Sequence, residues 1–357
     1  MSFLYSVQTS LPQNRYTQEQ ITAEFLKRTC NPTVNPKLVE RFHRSVQVGS
    51  RYLALPLETY AQITNFTESN RLFFEVALAL AETCVRNLFT KSHFKPMEIN
   101  QIIFTTVTGL SVPSLDAHLV NKIGFSDCVK RVPLFGLGCL AGAAGLSRAH
   151  DYLVGHPNEA VLLLALELCS LTVQKEDLSL ANLVASGLFG DGAAAVLLVG
   201  DQKISTGHPV HPKGKIIATQ SAFFKNTEKV MGWDIGHQGF KIILSAQVPE
   251  VAERKLPPII DSFLAENHLG RRDITHWITH PGGPKVIDAL ERGLELKTGT
   301  LDISRQSLEQ VGNLSSVSVL MILEKTLELK RPKSGDIGLL MAMGPGFCAE
   351  LVLLKWS

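Results

Sequence analysis

The 357-residue sequence predicts an α/β protein assembled from two similar halves. Three observations carry that reading. Short apolar runs alternate with longer amphipathic ones, the pattern of buried strands joined by helices. Landmarks recur at a nearly constant offset: Ile103 and Trp277 lie in similar strands (277 − 103 = 174), Cys139 and Asn313 open similar helices (again 174), and Val161 and Asp336 begin similar strands (175). Charged residues make up 19% of the chain and hydrophobic ones 45%. An average soluble domain is about 25% charged, so this composition excludes disorder and leaves ample chain for a large core.

In chain order, residues 101–106 (QIIFTT), 160–166 (AVLLLAL), 193–199 (AAAVLLV), 276–279 (HWIT), 337–342 (IGLLMA) and 349–354 (AELVLL) read as strands buried on both faces. Residues 114–123, 143–153, 284–296 and 315–329 carry helical apolar spacing. The repeat occurs as one pair, which predicts a doubled domain and not a solenoid. The polar, punctuated stretch 201–215 (DQKISTGHPVHPKGK) reads as the connection. The division expected is therefore residues 1–203, carrying the candidate nucleophile, and 204–357, carrying its partners.

Composition excludes several functions. The net charge of +2 comes without a basic stripe, so nucleic-acid binding has no electrostatic footprint. The longest apolar run, residues 160–166, is closed by Glu159 and Glu167 and falls far short of the ~18 residues of a membrane span. The start, MSFLYSVQTSLPQNRYTQEQ, has no basic segment followed by an apolar core, so a cytoplasmic protein is expected. Six cysteines (Cys30, Cys84, Cys128, Cys139, Cys169, Cys348) are scattered without C-x-x-C pairs or histidines at ligand spacing. Neither a metal site nor disulfides are expected, and the ordinary reading of each cysteine is a small buried hydrophobe.

One cysteine departs from that reading. RVPLFGLGCLAGAAGLSRAHDYL, residues 131–153, reads as a strand, a glycine turn and a helix of small residues. Its G-L-G-C-L-A run is similar to a dinucleotide fingerprint, but Glu159 stands at the start of the next strand and not at its end, where a ribose would be held. The pattern singles out Cys139 instead, because a thiol at a helix N-terminus meets the positive end of the macrodipole, which predicts a lowered pKa. A nucleophilic cysteine needs a base, and His280 in THPGGP leaves a buried strand into a tight loop. Asn313 in VGNLSSVSVL, in isolation an ordinary N-cap, occupies the position equivalent to Cys139. The symmetry predicts that the three residues converge near the pseudo-twofold axis.

These motifs, with SGLFGDGAAAVLLVG from Ser186 and MGPGF from Met343, resemble those of type III polyketide synthases, the chalcone synthase superfamily, over essentially the whole chain. LELCSLTVQKED and VMGWDIGHQGF are more similar to bacterial alkylpyrone synthases than to plant chalcone synthases. The resemblance implies a thiolase fold, internally duplicated in five αβαβα layers, a homodimer, and no cofactor beyond the CoA thioesters that serve as substrates. It implies that Cys139 accepts an acyl group from a starter acyl-CoA with its thiolate paired to a His280 imidazolium, and that Asn313 and His280 donate to the malonyl-CoA thioester carbonyl as CO2 leaves. Phe189 matches a gatekeeper aromatic, and the aliphatic Ile242 stands at the second gate. Val107, Thr108, Cys169, Thr172, Trp233 and Ser315 resemble cavity-lining positions. Arg41, Arg44 and Lys285 match CoA-binding positions. Gly344, Pro345 and Gly346 resemble the loop that shapes the cavity, and Val112 the residue that reaches into the partner subunit. The reaction expected is repeated decarboxylative Claisen extension of a medium- to long-chain acyl starter, closing to an alkylpyrone or alkylresorcinol. A β-ketoacyl-ACP synthase III, which takes malonyl from an acyl carrier protein, and an inactive thiolase-fold binding protein are the alternatives.

Overall fold

A computed structural model describes residues 1–28, 35–204 and 212–356. The first half carries strands β1 (Ser2–Ser10), β2 (Asn14–Thr17), β3 (Ser50–Leu53), β4 (Gln101–Thr105), β5 (Lys130–Leu134), β6 (Ala160–Leu168) and β7 (Asp191–Gly200). The second carries β8 (Gly214–Phe223), β9 (Met231–Gly236), β10 (Gly239–Leu244), β11 (His276–Thr279), β12 (Ile337–Gly344) and β13 (Cys348–Lys355). Helices of the first half are α1 (Gln18–Arg28), α2 (Pro36–Ser45), α3 (Phe66–Ser92), α4 (Leu115–Ile123), α5 (Ala141–Gly155), α6 (Leu180–Leu188) and α7 (Asp201–Ile204). Those of the second are α8 (Val248–Glu266), α9 (Pro284–Gly293), α10 (Asp302–Val311) and α11 (Ser316–Lys325).

Among the described residues, nine strands join in the order β11-β12-β13-β8-β1-β7-β6-β4-β5. The first half thus runs β1-β7-β6-β4-β5 and the second β8-β13-β12-β11, the same order of equivalent strands but for a counterpart of β5. Pairing senses repeat as well: antiparallel, antiparallel, then parallel in each half. The halves meet where Ser2, Phe3 and Leu4 pair with Ile216, Lys215 and Gly214. Each landmark at the 174–175 offset falls on an equivalent element: β4 and β11, the turns before α5 and α11, and the starts of β6 and β12.

Alternation along the strands builds the layers, because successive side chains point to opposite faces. Leu162, Leu164 and Leu166 of β6 join an outer core under α3, while Val161, Leu163 and Ala165 face a middle core. In the second half, Leu340, Ala342, Val352 and Leu354 face that same middle core, and Leu339, Met341, Leu351 and Leu353 face an outer core under α8 and α9. Helices α5 and α11 fill the middle, so five αβαβα layers result. Their approach requires Gly142, where a Cβ would lie 2.2 Å from the Ser316 carbonyl oxygen. Two helices differ in extent from the sequence expectation. Helix α9 ends at Gly293, and α11 gives way after Lys325 to a π-turn over Thr326–Lys330. Of the expected connection 201–215, residues 205–211 lie outside the described residues, as does Cys30.

Candidate active site

The parallel neighbours β4 and β6 deliver their C-terminal ends to one edge, the usual place for a site in an α/β sheet. There the fully buried Glu167 collects the polar groups around it. Its Oε2 accepts from the Val107 backbone N–H (3.1 Å) and Thr108 Oγ1 (2.9 Å), and its Oε1 accepts from Ser316 Oγ (2.6 Å). Leu168 N–H donates in turn to Thr108 Oγ1 (2.9 Å). Burial dominates these bonds and pushes the Glu167 carboxyl up to about 7.

Cys139 occupies a 3₁₀ turn, Gly138–Leu140, immediately before α5 and is buried. On one side the turn is pressed against the predicted loop: a Cβ on Gly138 would lie 2.5 Å from Pro345 Cδ, and one on Gly344 would lie 2.6 Å from the Leu137 carbonyl oxygen. On the other side stands Ser315, a non-glycine residue held at φ +50°, whose side chain acts to lower the thiol pKa. Such a conformation costs of order 1–3 kcal/mol and persists where the surroundings impose it. The expected lowering of the Cys139 pKa by the helix terminus is corrected here. Burial pushes the thiol up to about 12, Glu167 acts in the same direction, and the Ser315 side chain offsets only part of this. A macrodipole contributes roughly 1 kcal/mol near a terminus, whereas desolvation of a buried group shifts its pKa by several units.

His280 follows β11 directly, and its backbone N–H donates to the Met341 carbonyl (3.0 Å) of β12, the strand whose end, Gly344, touches the Cys139 turn. Neither ring nitrogen has a hydrogen-bond partner among the described residues, although the side chain is sealed from solvent. Burial by itself lowers the His280 pKa to about 3. Leaving a buried donor and acceptor unmet costs about 1–3 kcal/mol each. Asn313 donates its N–H to the Leu188 carbonyl (2.9 Å) and accepts from Gly190 N–H (3.0 Å), bracketing Phe189. Its Oδ1 accepts from Ser315 N–H (2.8 Å), which leaves the amide nitrogen as the donor end. Cys139, Ser315, Asn313 and Phe189 are therefore contiguous, and His280 stands at the end of the adjoining strand pair.

The remaining predicted residues divide. A cavity of about 750 Å³ is lined by Arg51, Tyr60, Ser170, Leu171, Ser186 and Phe189 among others. Of the expected gate and cavity residues, Phe189 alone lines it. Val107, Thr108, Cys169, Thr172 and Ser315 are buried, their backbone or hydroxyl groups engaged in the Glu167 network, with Cys139, or with one another, as where Thr172 Oγ1 donates to the Cys169 carbonyl (2.8 Å). Trp233 and Ile242 form a cross-strand pair in the β9–β10 hairpin, and the cavity instead takes Asp234 and Lys241 from that hairpin's opposite face. Arg41 and Arg44 are exposed on α2, and Lys285 is exposed in the first turn of α9. A cleft of about 400 Å³ is lined in part by Gln47 and Gly49, which follow α2, and by Pro284 of α9, but by none of those three basic residues. Gly346 (φ +131°) turns the chain into β13, and Val112 is fully exposed in the loop after β4. Two cysteines depart from the buried expectation: Cys128 is exposed, and Cys348 is half-buried with Sγ donating to the Pro345 carbonyl (2.9 Å). Among the described residues, no helix is long and apolar enough to cross a membrane.

Two site residues escaped the sequence reading. Glu167 carried a signal, a lone carboxylate closing an apolar strand, but one that reads equally as a strand end. Arg51, buried beside Phe189, carried none.

A duplicated five-layered α/β chain with a buried cysteine, histidine and asparagine at its strand and helix ends is a thiolase-fold enzyme of the acyl-transfer class. The chain matches the N-terminal domain of chalcone and stilbene synthases over residues 1–202 and their C-terminal domain over residues 215–356. It is 46% identical to a 1,3,6,8-tetrahydroxynaphthalene synthase of Streptomyces peucetius subsp. caesius, over 98% of this chain and 92% of that one. It is 28% identical to an alpha-pyrone synthesis polyketide synthase-like protein of Mycobacterium tuberculosis (strain CDC 1551 / Oshkosh), over 88% and 81%. The crystal structure of the 1,3,6,8-tetrahydroxynaphthalene synthase of Streptomyces coelicolor A3(2), a bacterial type III polyketide synthase, superposes with a TM-score of 0.91 at 29% identity, covering 99% of each chain. The protein belongs to the chalcone and stilbene synthase family, the type III polyketide synthases, and is an acyltransferase-type enzyme.

Proposed function

We propose that the chain primes Cys139 with a medium- to long-chain acyl-CoA, extends it two or three times with malonyl-CoA, and closes the product to an alkylpyrone or alkylresorcinol. The observation that carries the chemistry is the His280 ring, sealed from water with both nitrogens unpartnered. In priming, the Cys139 proton passes to His280. The opposite charges that result stabilise each other where little water screens them, supplying what the helix terminus alone does not. The thiolate attacks the starter thioester, CoA leaves as its thiol, and His280 returns to the neutral form. Malonyl-CoA then places its thioester carbonyl against His280 and the Asn313 amide, whose hydrogen bonds stabilise the enolate left as CO2 departs. The enolate carbon attacks the acyl-Cys139 carbonyl, and the Cys139 thiolate leaves.

Asn313→Ala is expected to lower CO2 release from malonyl-CoA by ~10² to 10³ while acyl loading of Cys139, read by intact mass, persists. Loss of loading with CO2 release retained overturns the role of Asn313. The product class is tested by mass spectrometry of reactions with a panel of acyl-CoA starters. A second reading comes from the relative at 46% identity, named for a hydroxylated naphthalene: turnover of malonyl-CoA alone to such an aromatic replaces the fatty-acyl proposal. Malonyl-CoA compared with malonyl-ACP as extender separates a β-ketoacyl-ACP synthase III, and stoichiometric iodoacetamide labelling of Cys139 with loss of activity disposes of an inactive binding protein. We further propose a cytoplasmic homodimer, supported at the predicted contact by the exposed apolar side chains of Leu110, Val112 and Phe135.

A further inference from the structure

We infer that Arg51 is a positioning residue that locks the crossing at which Phe189 and Asn313 are held. The inference rests on the roles proposed above for those two residues. Arg51 lies in β3 and is 3% exposed. One guanidinium nitrogen donates to the Phe189 carbonyl (2.7 Å) and the other to Gln18 Oε1 (3.1 Å). Gln18 is itself anchored, its Nε2 donating to the carbonyls of Gly187 (2.8 Å) and His43 (3.0 Å). The arginine stem packs against two glycines, closely at Gly312 and in ordinary contact at Gly190. A Cβ on Gly312 would lie 3.1 Å from Arg51 Cγ and Cδ, and one on Gly190 would lie 3.6 Å from Cγ.

Those glycines flank the crossing itself, where Asn313 donates to Leu188 and accepts from Gly190. The backbone on either side of Phe189 is thus tied to Asn313, and the carbonyl between the two ties is held by Arg51. Buried Asp191 sits close enough to interact with the guanidinium charge. Two donors fixed in one plane can meet two oxygens at once, which a lysine ammonium on a flexible stem cannot reproduce.

The test counts intact sites by iodoacetamide labelling of Cys139 and measures CO2 release from malonyl-CoA per labelled site. Misplacing a reacting group by about 1 Å costs ~10²-fold in rate. Arg51→Met is therefore expected to lower kcat by about 10- to 100-fold with KM within about threefold of wild type, Arg51→Lys to recover part of the loss, and acyl loading of Cys139 to stay within about threefold. Leu88→Ala, on α3 in the outer core and outside the Arg51 hydrogen-bond network, is the control for lost stability and is expected to lower Tm without changing kcat per labelled site. If Arg51→Met or Arg51→Lys keeps the wild-type kcat, or if Leu88→Ala lowers kcat as much as Arg51→Met does, the positioning role is wrong. Should Arg51→Met not fold, Arg51→Lys decides by the same criterion. If Asn313→Ala also leaves CO2 release intact, the reading of the site has failed and not the Arg51 inference alone.

Discussion

Glu167 and His43 are both buried, and burial moves their protons in opposite directions. The folded Glu167 carboxyl titrates at about 7 against an ordinary 4.5, so the native state keeps its proton longer and stability falls as pH rises between those values. His43, between Thr22 and Ser186, is lowered from 6.5 to about 3, chiefly by burial with Arg51 adding to it. The unfolded chain then protonates first, so its contribution is full above 6.5 and is lost as pH falls toward 3. Glu167→Gln is expected to flatten the decline of the urea midpoint between pH 4.5 and about 7, and His43→Gln to flatten the decline on the acid side. An unchanged slope in either variant assigns the titration elsewhere. Cys139 teaches the same lesson for catalysis: its place before α5 was legible from GLGCLAGA, but its charge state depends on neighbours 28 and more residues away, Glu167 and Ser315.

At the scale of elements, the helix pair α5 and α11 links the middle core to the site. Gly142 faces the Ser316 carbonyl, and Ser316 Oγ holds Glu167, so the packing of the two helices and the geometry around Cys139 are one problem. Gly142→Ala is expected to destabilise by about 1–3 kcal/mol through overpacking and to lower condensation activity with it. Gly155→Ala, at the open end of α5 with nothing within 4 Å of the added Cβ, is expected to be neutral or stabilising by up to about 1 kcal/mol. Thermal unfolding and product formation measured on both variants check the pair, and equal effects would remove the packing argument. The strands that the sequence made legible, such as β6 and β7, are apolar on both faces. Strands β1 and β8 were not, because SFLYSVQTS and GKIIATQSAF mix polar and apolar residues without a clean period. Helix α3 carries the run VALAL, too short and continuous to distinguish helix from strand by periodicity.

At the scale of the whole molecule, the two halves are not separable bodies. The inner faces of both halves of the nine-stranded sheet and the two central helices contribute to one middle core, and β1 pairs with β8 across the boundary. A chain cut to residues 1–203 exposes that face, including Val161, Leu163, Val196 and Leu198, all fully buried in the intact protein. Burying each such side chain is worth about 1.5–3 kcal/mol. The truncated half is therefore expected to aggregate or to show molten-globule dye binding, and the full chain to unfold by urea in a single transition followed by tryptophan fluorescence and circular dichroism together. Two separated transitions would show that the halves are independent.

Sequence by itself determined the duplication and the core strands and singled out Cys139, His280 and Asn313 as candidates, because periodicity, spacing and residue type are properties of short windows and of their recurrence. Tertiary structure alone decided that burial, and not a helix terminus, sets the Cys139 thiol, that Glu167 gathers the loops around it, and that Phe189 lines the cavity. Those outcomes depend on contacts such as Arg51 to Phe189, 138 positions apart, and Ser316 to Glu167, 149 apart. Desolvation and long-range hydrogen bonding arise only when distant segments are pressed together, so no local pattern in the chain records them.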